Sequence, residues 1–156
     1  MARNGKVNFS ELENFKKKLE ENLTGDQVQL FIESCAKELA ARLLAKVIKR
    51  TPVGQYPASS GKKGGTLRRG WTGEKSQSAS TYANSLKVNH FGDVYVIEII
   101  NPVEYAPYVE YGHRTRNHEG WVEGKFMLTI SSQEIERDAP RVLENKLKKK
   151  LGECFK

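Results

Sequence analysis

Side chains with chemical potential are concentrated in one short segment of this 156-residue chain, where tyrosines and glutamates are interspersed. Tyr105, Tyr108 and Tyr111 recur every third residue, with Glu104 and Glu110 among them. Paired carboxylates could act as a general acid and a general base, but no nucleophile with a base and an orienting partner is identifiable. The same residues suit a rigid, partly polar contact surface with ion pairs. The segment therefore predicts a subunit or partner contact made by these five residues, and no enzymatic activity.

Histidines and cysteines do not indicate a metal site or a cofactor. His90, His113 and His118 lack paired ligand spacing on a predicted helix, although the last two share a loop and could approach one ion. Cys35 lies on the apolar stripe of a predicted helix and is expected to be a small buried hydrophobe. Cys35 and Cys154 are too few for a disulfide framework, which favours a reducing compartment. We expect no metal and no cofactor.

The composition is that of a polar, globular protein. Hydrophobic residues make up 38% and charged residues 29%, and the length fits one domain spanning residues 1–156. No apolar run approaches the ~20 residues of a membrane span. The first five residues lack the apolar stretch of a signal peptide. We therefore expect no membrane partner and folding in the cytoplasm.

The net charge of +7 favours an anionic partner. Two of the four basic clusters, residues 42–50 and 146–150, lie on predicted helices, where lysines on the solvated face are ordinary. The other two lie in loops. Of these, the cluster of Lys62, Lys63, Arg68 and Arg69 is the candidate for contact with DNA phosphates.

Helical periodicity predicts two helices in the first third of the chain. A short amphipathic arm, residues 1–24, is predicted with Ser10 as its N-cap. A longer helix is predicted to begin at an Asp26 cap and to end at Thr51-Pro52. Residues 52–80 then predict a long, flexible, basic loop, which Leu67 and Trp71 anchor to the domain. The glycines of this loop do not match a phosphate-binding pattern.

The second half predicts a hairpin followed by helices. Residues 85–89 and 94–100 are predicted strands around a tight turn at 91–93, which places an antiparallel hairpin at the centre of the domain. Residues 105–111 then follow its edge or form one helical turn. A helix is predicted to open at Phe126, with a break at 138–140 before a last helix. The predicted class is α+β: an antiparallel sheet packed with a long N-terminal helix and C-terminal helices.

The order of these features resembles the minor tail-component family of long-tailed bacteriophages and prophages, the neck or tail-completion proteins. The resemblance covers roughly residues 27–151 and rests on the following segments: Thr51-Pro-Val53, Gly64-Gly-Thr-Leu-Arg-Arg69, Tyr105-Ala-Pro-Tyr-Val-Glu-Tyr-Gly-His-Arg-Thr115 and Phe126-Met127. Residues 54–64 stretch the first motif by an insertion, His113 follows Gly112, and Lys125 precedes Phe126 where a proline is common.

The resemblance implies a non-enzymatic virion protein of the head-tail joining region, present in the host cytoplasm during assembly. Such proteins form a ring, commonly sixfold, between the portal-side connector and the tail tube. The implied partners are further copies of the chain, connector and tail-tube or terminator proteins, and non-specific double-stranded DNA in the lumen. Lys62, Lys63, Arg68 and Arg69 could line that lumen, or the loop could instead be solvated or ordered against a neighbouring protein.

A second interpretation is a sequence-independent nucleic-acid-binding protein. It is favoured by the net charge, the basic loops and the interleaved Tyr56, Trp71 and Trp121. The basic residues are however scattered over four segments, and no helix-turn-helix signature or aromatic RNA-binding strand pair is present. DNA binding by the monomer would favour this alternative, whereas self-assembly would favour a structural virion protein.

Overall fold

A computed structural model describes residues 14, 17, 20–75, 77–92 and 94–154 of the chain. Most of the predicted arm, including its proposed cap Ser10, lies outside these residues. Residues 20–22 are helical. Among the described residues, no helix combines the length and the apolar character that crossing a membrane would need.

Helix α1 spans Gly25–Arg50 and forms the central element. Its N-cap is Thr24, whose hydroxyl accepts a hydrogen bond from the Gln27 amide, so the prediction of Asp26 as the cap is wrong. Asp26 instead lies in the first turn, where a carboxylate interacts favourably with the helix dipole. The helix ends as predicted, because Thr51 precedes a proline and takes an extended conformation.

Residues 52–80 contain more structure than the predicted loop. After a 3-10 turn at Ala58–Ser60, helix α2 forms at Thr66–Gly70 and helix α3 spans Ala79–Ser85. The strand predicted at residues 85–89 is wrong over most of its length, because Ser85 belongs to α3 and the strand begins only at Asn89. The Ser78 hydroxyl caps α3 by accepting from the Thr81 amide, and Ala83 is fully buried, so local capping and helical packing prevail over β propensity.

Two short antiparallel hairpins supply the β structure. Strand β1, Asn89–Phe91, pairs with β2, Val94–Val96, and the two strands form one two-stranded sheet. Phe91 is 66% exposed and Val94 58% exposed, so this hairpin lies at the surface and not at the centre as predicted. The second hairpin was not predicted. After helix α4, Ala106–Tyr111, strand β3, Gly112–Arg114, pairs with β4, Trp121–Glu123.

Helix α5 spans Met127–Cys154 without interruption, with Pro140 inside it. The predicted break at residues 138–140 is therefore wrong. A proline removes one helical hydrogen bond and disfavours the helix interior. Buried residues lie on both sides of it, at Ser131 and Val142, and the contact of α5 with α1 stabilises one long helix over two short ones.

The core lies where α1 meets α3, α5 and the segment around α2. The predicted anchors Leu67 and Trp71 are both 4% exposed, which confirms that they hold the loop to the domain. The α+β class is also confirmed, although the strands form two small sheets and helices dominate the core. The core comprises the following residues: Ala40, Leu44, Val47, Leu67, Trp71, Ala83, Val103, Ala106 and Met127.

Candidate functional site

A buried hydrogen-bonded joint lies at the end of α1, and we call Thr51, Arg68 and Trp71 the Thr51 joint. The Thr51 hydroxyl donates to the Val47 carbonyl at 2.7 Å and accepts from the Trp71 indole nitrogen at 2.8 Å. The Arg68 guanidinium donates to the Thr51 carbonyl through Nη2 at 2.8 Å and through Nε at 3.3 Å. Thr51 is fully buried. The joint therefore ties α1 to α2, and Arg68 is committed to the fold.

Asn101 continues this joint toward the second half of the chain. Its Nδ2 donates to the Leu67 carbonyl at 2.8 Å, and its Oδ1 accepts from the Val103 amide at 3.1 Å. A Cβ on Gly70 would lie 2.1 Å from Asn101 Oδ1, so only glycine permits this approach. The segment before α4 is thereby fixed against α2.

Glu110 forms a second internal lock, which we call the Glu110 cap. Its Oε2 accepts from the Leu128 amide at 2.9 Å, and its Oε1 accepts from the Thr129 amide at 2.9 Å and the Thr129 hydroxyl at 2.7 Å. These amides belong to the first turn of α5, where N–H groups lack helical partners and the dipole favours a negative charge. Glu110 is 6% exposed. Its carboxylate is thus occupied within the chain.

The glycine after α4 makes room for the second hairpin. Gly112 has φ of 88°, and a Cβ there would lie 2.5 Å from the Val122 carbonyl oxygen. The Trp121 ring also approaches this Cα, 3.0 Å from the Cβ position. A larger residue would push β4 away from α4. In the segment Glu110-Tyr-Gly112, the first residue therefore caps α5 and the last residue permits the tight turn into β3.

The tyrosines of the predicted contact segment point away from these locks. Tyr105, Tyr108 and Tyr111 are 45%, 59% and 63% exposed, and Glu104 is exposed beside them. We call these four residues the tyrosine edge. The edge follows the outer face of α4, whose inner face carries buried Ala106 and Glu110. The predicted contact set is therefore divided, since four of its members face outward and Glu110 faces inward.

Ring contacts order part of the tyrosine edge. Tyr111 meets Phe126 edge to face with centroids 6.4 Å apart, and Tyr108 meets His113 at 6.0 Å. An apolar groove of about 230 Å³ borders Tyr111. Sequence reasoning did not predict it, and the signal available was the pair Ile99 and Ile100 that leads into it. The groove is lined by Trp71, Ile99, Ile100, Asn101, Ala106, Pro107, Glu110, Tyr111, Met127 and Leu128.

The four basic loop residues are not equivalent. Arg68 belongs to the Thr51 joint, while Arg69 is exposed and donates to the Gly64 carbonyl at 3.3 Å. Lys62 and Lys63 are exposed, and we call this pair the basic turn. The ammonium of Lys62 lies 5.9 Å from the centroid of the Tyr56 ring. Among the described side chains, neither lysine forms an ion pair. The positive charges of Lys62 and Lys63 are therefore available to an external anion.

Two other basic residues, Lys46 and Arg50, form ion pairs between the two long helices, α1 and α5. Lys46 Nζ lies 2.9 Å from Glu134 Oε2, and Arg50 donates to both oxygens of that carboxylate and to Ser131 Oγ. Hydrogen bonds from Arg50 and Lys46 lower the pKa of Glu134 from 4.5 to about 2. Sequence reasoning had assigned Lys46 and Arg50 to a solvated face. It had no means of pairing them with a glutamate more than eighty residues away.

Cys35 is buried as predicted, and burial raises the pKa of its thiol. A buried thiol of raised pKa is a poor nucleophile because the thiolate is the reactive form. Within the described part of the chain, no group of three or more histidine, cysteine, aspartate or glutamate residues is arranged to hold a metal ion.

Comparison with models of known protein families identifies the family of this chain. Residues 13–112 match the model of the family described as "Bacteriophage HK97-gp10, putative tail-component". The match covers more than half of the chain. The chain belongs to this phage tail-component family. No curated protein and no solved structure matches it.

Membership confirms the resemblance that the motifs indicated, and proteins of this phage tail-component family are structural. The matched region contains both the Thr51 joint and the tyrosine edge, and it ends at Gly112. The motif residues of this region thus fall into two groups, those with internal contacts and those exposed to solvent. Thr51, Arg68, Glu110 and Gly112 hold the chain together, and the tyrosines between them are presented outward.

Proposed function

We propose that this chain is a ring-forming subunit of the head-tail joining region, where it completes the tail and surrounds the passage of DNA. The observation that carries the proposal is the exposed tyrosine edge on a helix that is locked from behind. Helix α4 is fixed by the Glu110 cap, so its outer face is rigid before any partner arrives. Preorganised aromatic side chains are typical anchors of protein interfaces.

A closed ring requires heterologous contacts, in which one surface of a subunit meets a different surface of the next. Tyr108 and Tyr111 supply large contact area at low cost in conformational entropy, and Glu104 supplies a charged rim. Connector and tail-tube or terminator proteins would then meet the two faces of the ring. The chain would thus reside in the virion, after assembly in the host bacterial cytoplasm.

The basic turn and Arg69 are the residues we assign to the lumen. Lys62, Lys63 and Arg69 are exposed and close in sequence, so they can meet phosphates without reading bases. Arg68 is left out of this set because its guanidinium donates to the Thr51 carbonyl. DNA contact is therefore a property of three residues in this proposal, and not of the four that sequence reasoning grouped.

The alternative function is sequence-independent nucleic-acid binding by the free chain. A second basic surface favours it, because Lys146, Lys149 and Lys150 border a cavity of about 300 Å³ between α1 and α5. Two separated basic surfaces could follow a phosphate backbone over several nucleotides. The two functions differ in what assembles, and this difference can be measured.

The deciding experiment is light scattering of the purified protein over a range of concentrations, in low and high salt, with and without duplex DNA. We expect a discrete multi-subunit species that forms without DNA. Changing Tyr108 and Tyr111 together to Ala should lower its mass to that of the monomer. Tyr56→Ala is the matched control, because Tyr56 is 51% exposed but lies outside the tyrosine edge.

A chain that stays monomeric without DNA, and gains mass only with DNA in low salt, would replace the structural proposal by the nucleic-acid-binding one. A chain that ignores DNA and does not self-associate would contradict both functions for the isolated protein. Co-sedimentation with connector and tail-tube proteins would then decide whether the neck recruits single copies.

A further inference from the structure

A mostly apolar run, interrupted by the exposed Glu98, leads from the first hairpin to the groove beside Tyr111. In residues 94–100 exposure alternates with the period of a strand: Val94, Val96, Glu98 and Ile100 are exposed on one face, and residues 95, 97 and 99 are half-buried. Only residues 94–96 pair with β1. Within the described residues, no backbone hydrogen bond joins 97–100 to another segment. This part of the run has a free backbone edge.

The groove lies at the far end of this run and is suited to protein side chains. Its volume of about 230 Å³ is below the roughly 300–1,000 Å³ typical of small-molecule sites. Glu110 is the one charged residue among the described residues that line it, and its carboxylate already caps α5. An incoming group therefore meets an apolar surface beside a free strand edge, the combination that accepts an added strand or hairpin.

The opposite end of the same run presents an apolar knob. Phe91 and Val94 are cross-strand partners, so both side chains lie on one face of the hairpin at its turn. They are among the exposed large hydrophobic residues of the chain. His90 and Tyr95 form the next pair and stack at 4.2 Å, on the other face. The stacked pair stiffens the hairpin, so the knob is held ready for contact.

A chain cannot fill its own groove with its own knob. Ile100 follows Val94 by six residues, and six residues with the strand-like alternation of this run span about 20 Å at ~3.3 Å per residue. The knob and the groove are thus two exposed, largely apolar surfaces at opposite ends of one ribbon. A knob that fits a groove elsewhere on an identical molecule generates a heterologous contact, which closes into a ring or continues as a filament.

We propose that the Phe91 and Val94 knob of one copy enters the groove beside Ile100 and Tyr111 of the next copy. The inference rests on the proposed ring function and names the two surfaces that form it. Tyr111 then acts as the lip of the groove, which explains why the tyrosine edge and the hairpin face solvent in the single chain. The partner is a second copy, and the contact adds its hairpin along the free edge of residues 97–100.

Disulfide cross-linking tests the contact directly, with the variants Phe91→Cys and Ile100→Cys. The native Cys35 and Cys154 are buried, so the wild-type chain under the same oxidant measures the background. A mixture of the two variants should give a covalent dimer, and each variant alone should remain monomeric on a denaturing gel. The double variant should give a ladder of oligomers up to the size of the closed ring.

An assembly measurement complements the cross-linking. Phe91→Asp should raise the concentration needed for half-assembly at least tenfold, because a charge would enter an apolar groove. Leu30→Asp is the matched control, since Leu30 is 59% exposed on α1 and distant from the ribbon in sequence. Far-ultraviolet circular dichroism of both variants, unchanged from wild type, shows that the fold is intact.

The failure of this inference can be separated from the failure of the ring function. Rings that form normally in Phe91→Asp, without a mixed cross-link, would overturn the knob and groove contact and leave the ring function in place. Cross-links within each single variant alone would indicate an isologous contact and overturn it equally. A wild-type chain that is monomeric at millimolar concentration, together with no cross-link between the two cysteine variants, would overturn this contact. Incorporation into phage particles would then still test the tail function.

Discussion

Arg68 and the basic turn lie in one connection between α1 and α3, yet folding uses their charges in opposite ways. The Arg68 guanidinium is half-buried and donates twice to the Thr51 carbonyl. Lys62 and Lys63 are exposed, and within the described residues they have no acidic partner. The difference follows from geometry, because the planar guanidinium can satisfy a carbonyl at a helix end while its stem remains packed.

The same division separates the tyrosine edge from the Glu110 cap. Alternate faces of α4 carry residues that complete the monomer and residues that the monomer leaves exposed. Substitutions on the inner side should therefore reduce the free energy of unfolding. Substitutions on the outer side should change binding and leave the fold intact.

The largest expected effect is at the Thr51 joint. Trp71→Ala should reduce the free energy of unfolding by about 3–5 kcal/mol, because it leaves a cavity and removes the donor to Thr51 Oγ1. Trp71→Phe should reduce the free energy of unfolding by less, since a phenyl ring fills most of the space of the indole but lacks its N–H group. Chemical denaturation measures both. Trp121→Ala is the matched control, with a cost below about 1 kcal/mol because Trp121 is 56% exposed.

The next effect is at the Glu110 cap. Glu110→Gln should cost about 1–3 kcal/mol, because the neutral amide turns one acceptor into a donor against the first-turn amides of α5. Glu104→Gln, exposed on the same segment, should change stability by less than about 0.5 kcal/mol. Faster hydrogen exchange at the amides of Leu128 and Thr129 would locate the loss. Equal costs for the two variants would contradict an internal role for Glu110.

A smaller effect, whose pH dependence is confined to acid, is expected between α1 and α5. The pKa of Glu134 is lowered to about 2 by Arg50 and Lys46, below its ordinary 4.5. Its ionised form therefore stabilises the fold above about pH 4.5, and this contribution is lost as the pH falls toward 2. The stability difference between wild type and Glu134→Gln should shrink over that window. A difference independent of pH would refute the ion pair, and Glu136→Gln serves as the control.

The smallest effect on stability is expected at the basic turn. Changing Lys62 and Lys63 together to Glu should alter the free energy of unfolding by less than about 0.5 kcal/mol. It should weaken DNA binding and reduce the slope of log affinity against log salt by about 2. The paired change of Lys75 and Lys87 to Glu has the same net charge and should leave the slope unaltered. Equal slopes for both pairs would exclude a specific role for the turn.

Local patterns were sufficient for part of the fold. The end of α1 at Arg50 follows from Thr51 preceding a proline, and the anchoring roles of Leu67 and Trp71 follow from isolated apolar residues in a polar loop. Local patterns failed where a contact with another part of the chain decided the secondary structure. Pro140 lies inside α5 because packing against α1 outweighs a local helix breaker. The strand predicted from residue 85 begins only at Asn89, because the Ser78 cap and buried Ala83 place Ser85 in α3.

The family and the exposed character of the tyrosines could be inferred from residue order, because motif spacing is a local property of the chain. The inward position of Glu110, the commitment of Arg68 and the groove beside Tyr111 could not. Each depends on which backbone groups a neighbouring element leaves unpaired or uncovered, such as the first amides of α5 or the Thr51 carbonyl that follows α1. Only the folded chain brings those groups within hydrogen-bonding distance and so separates the residues that build the subunit from those left for its partners.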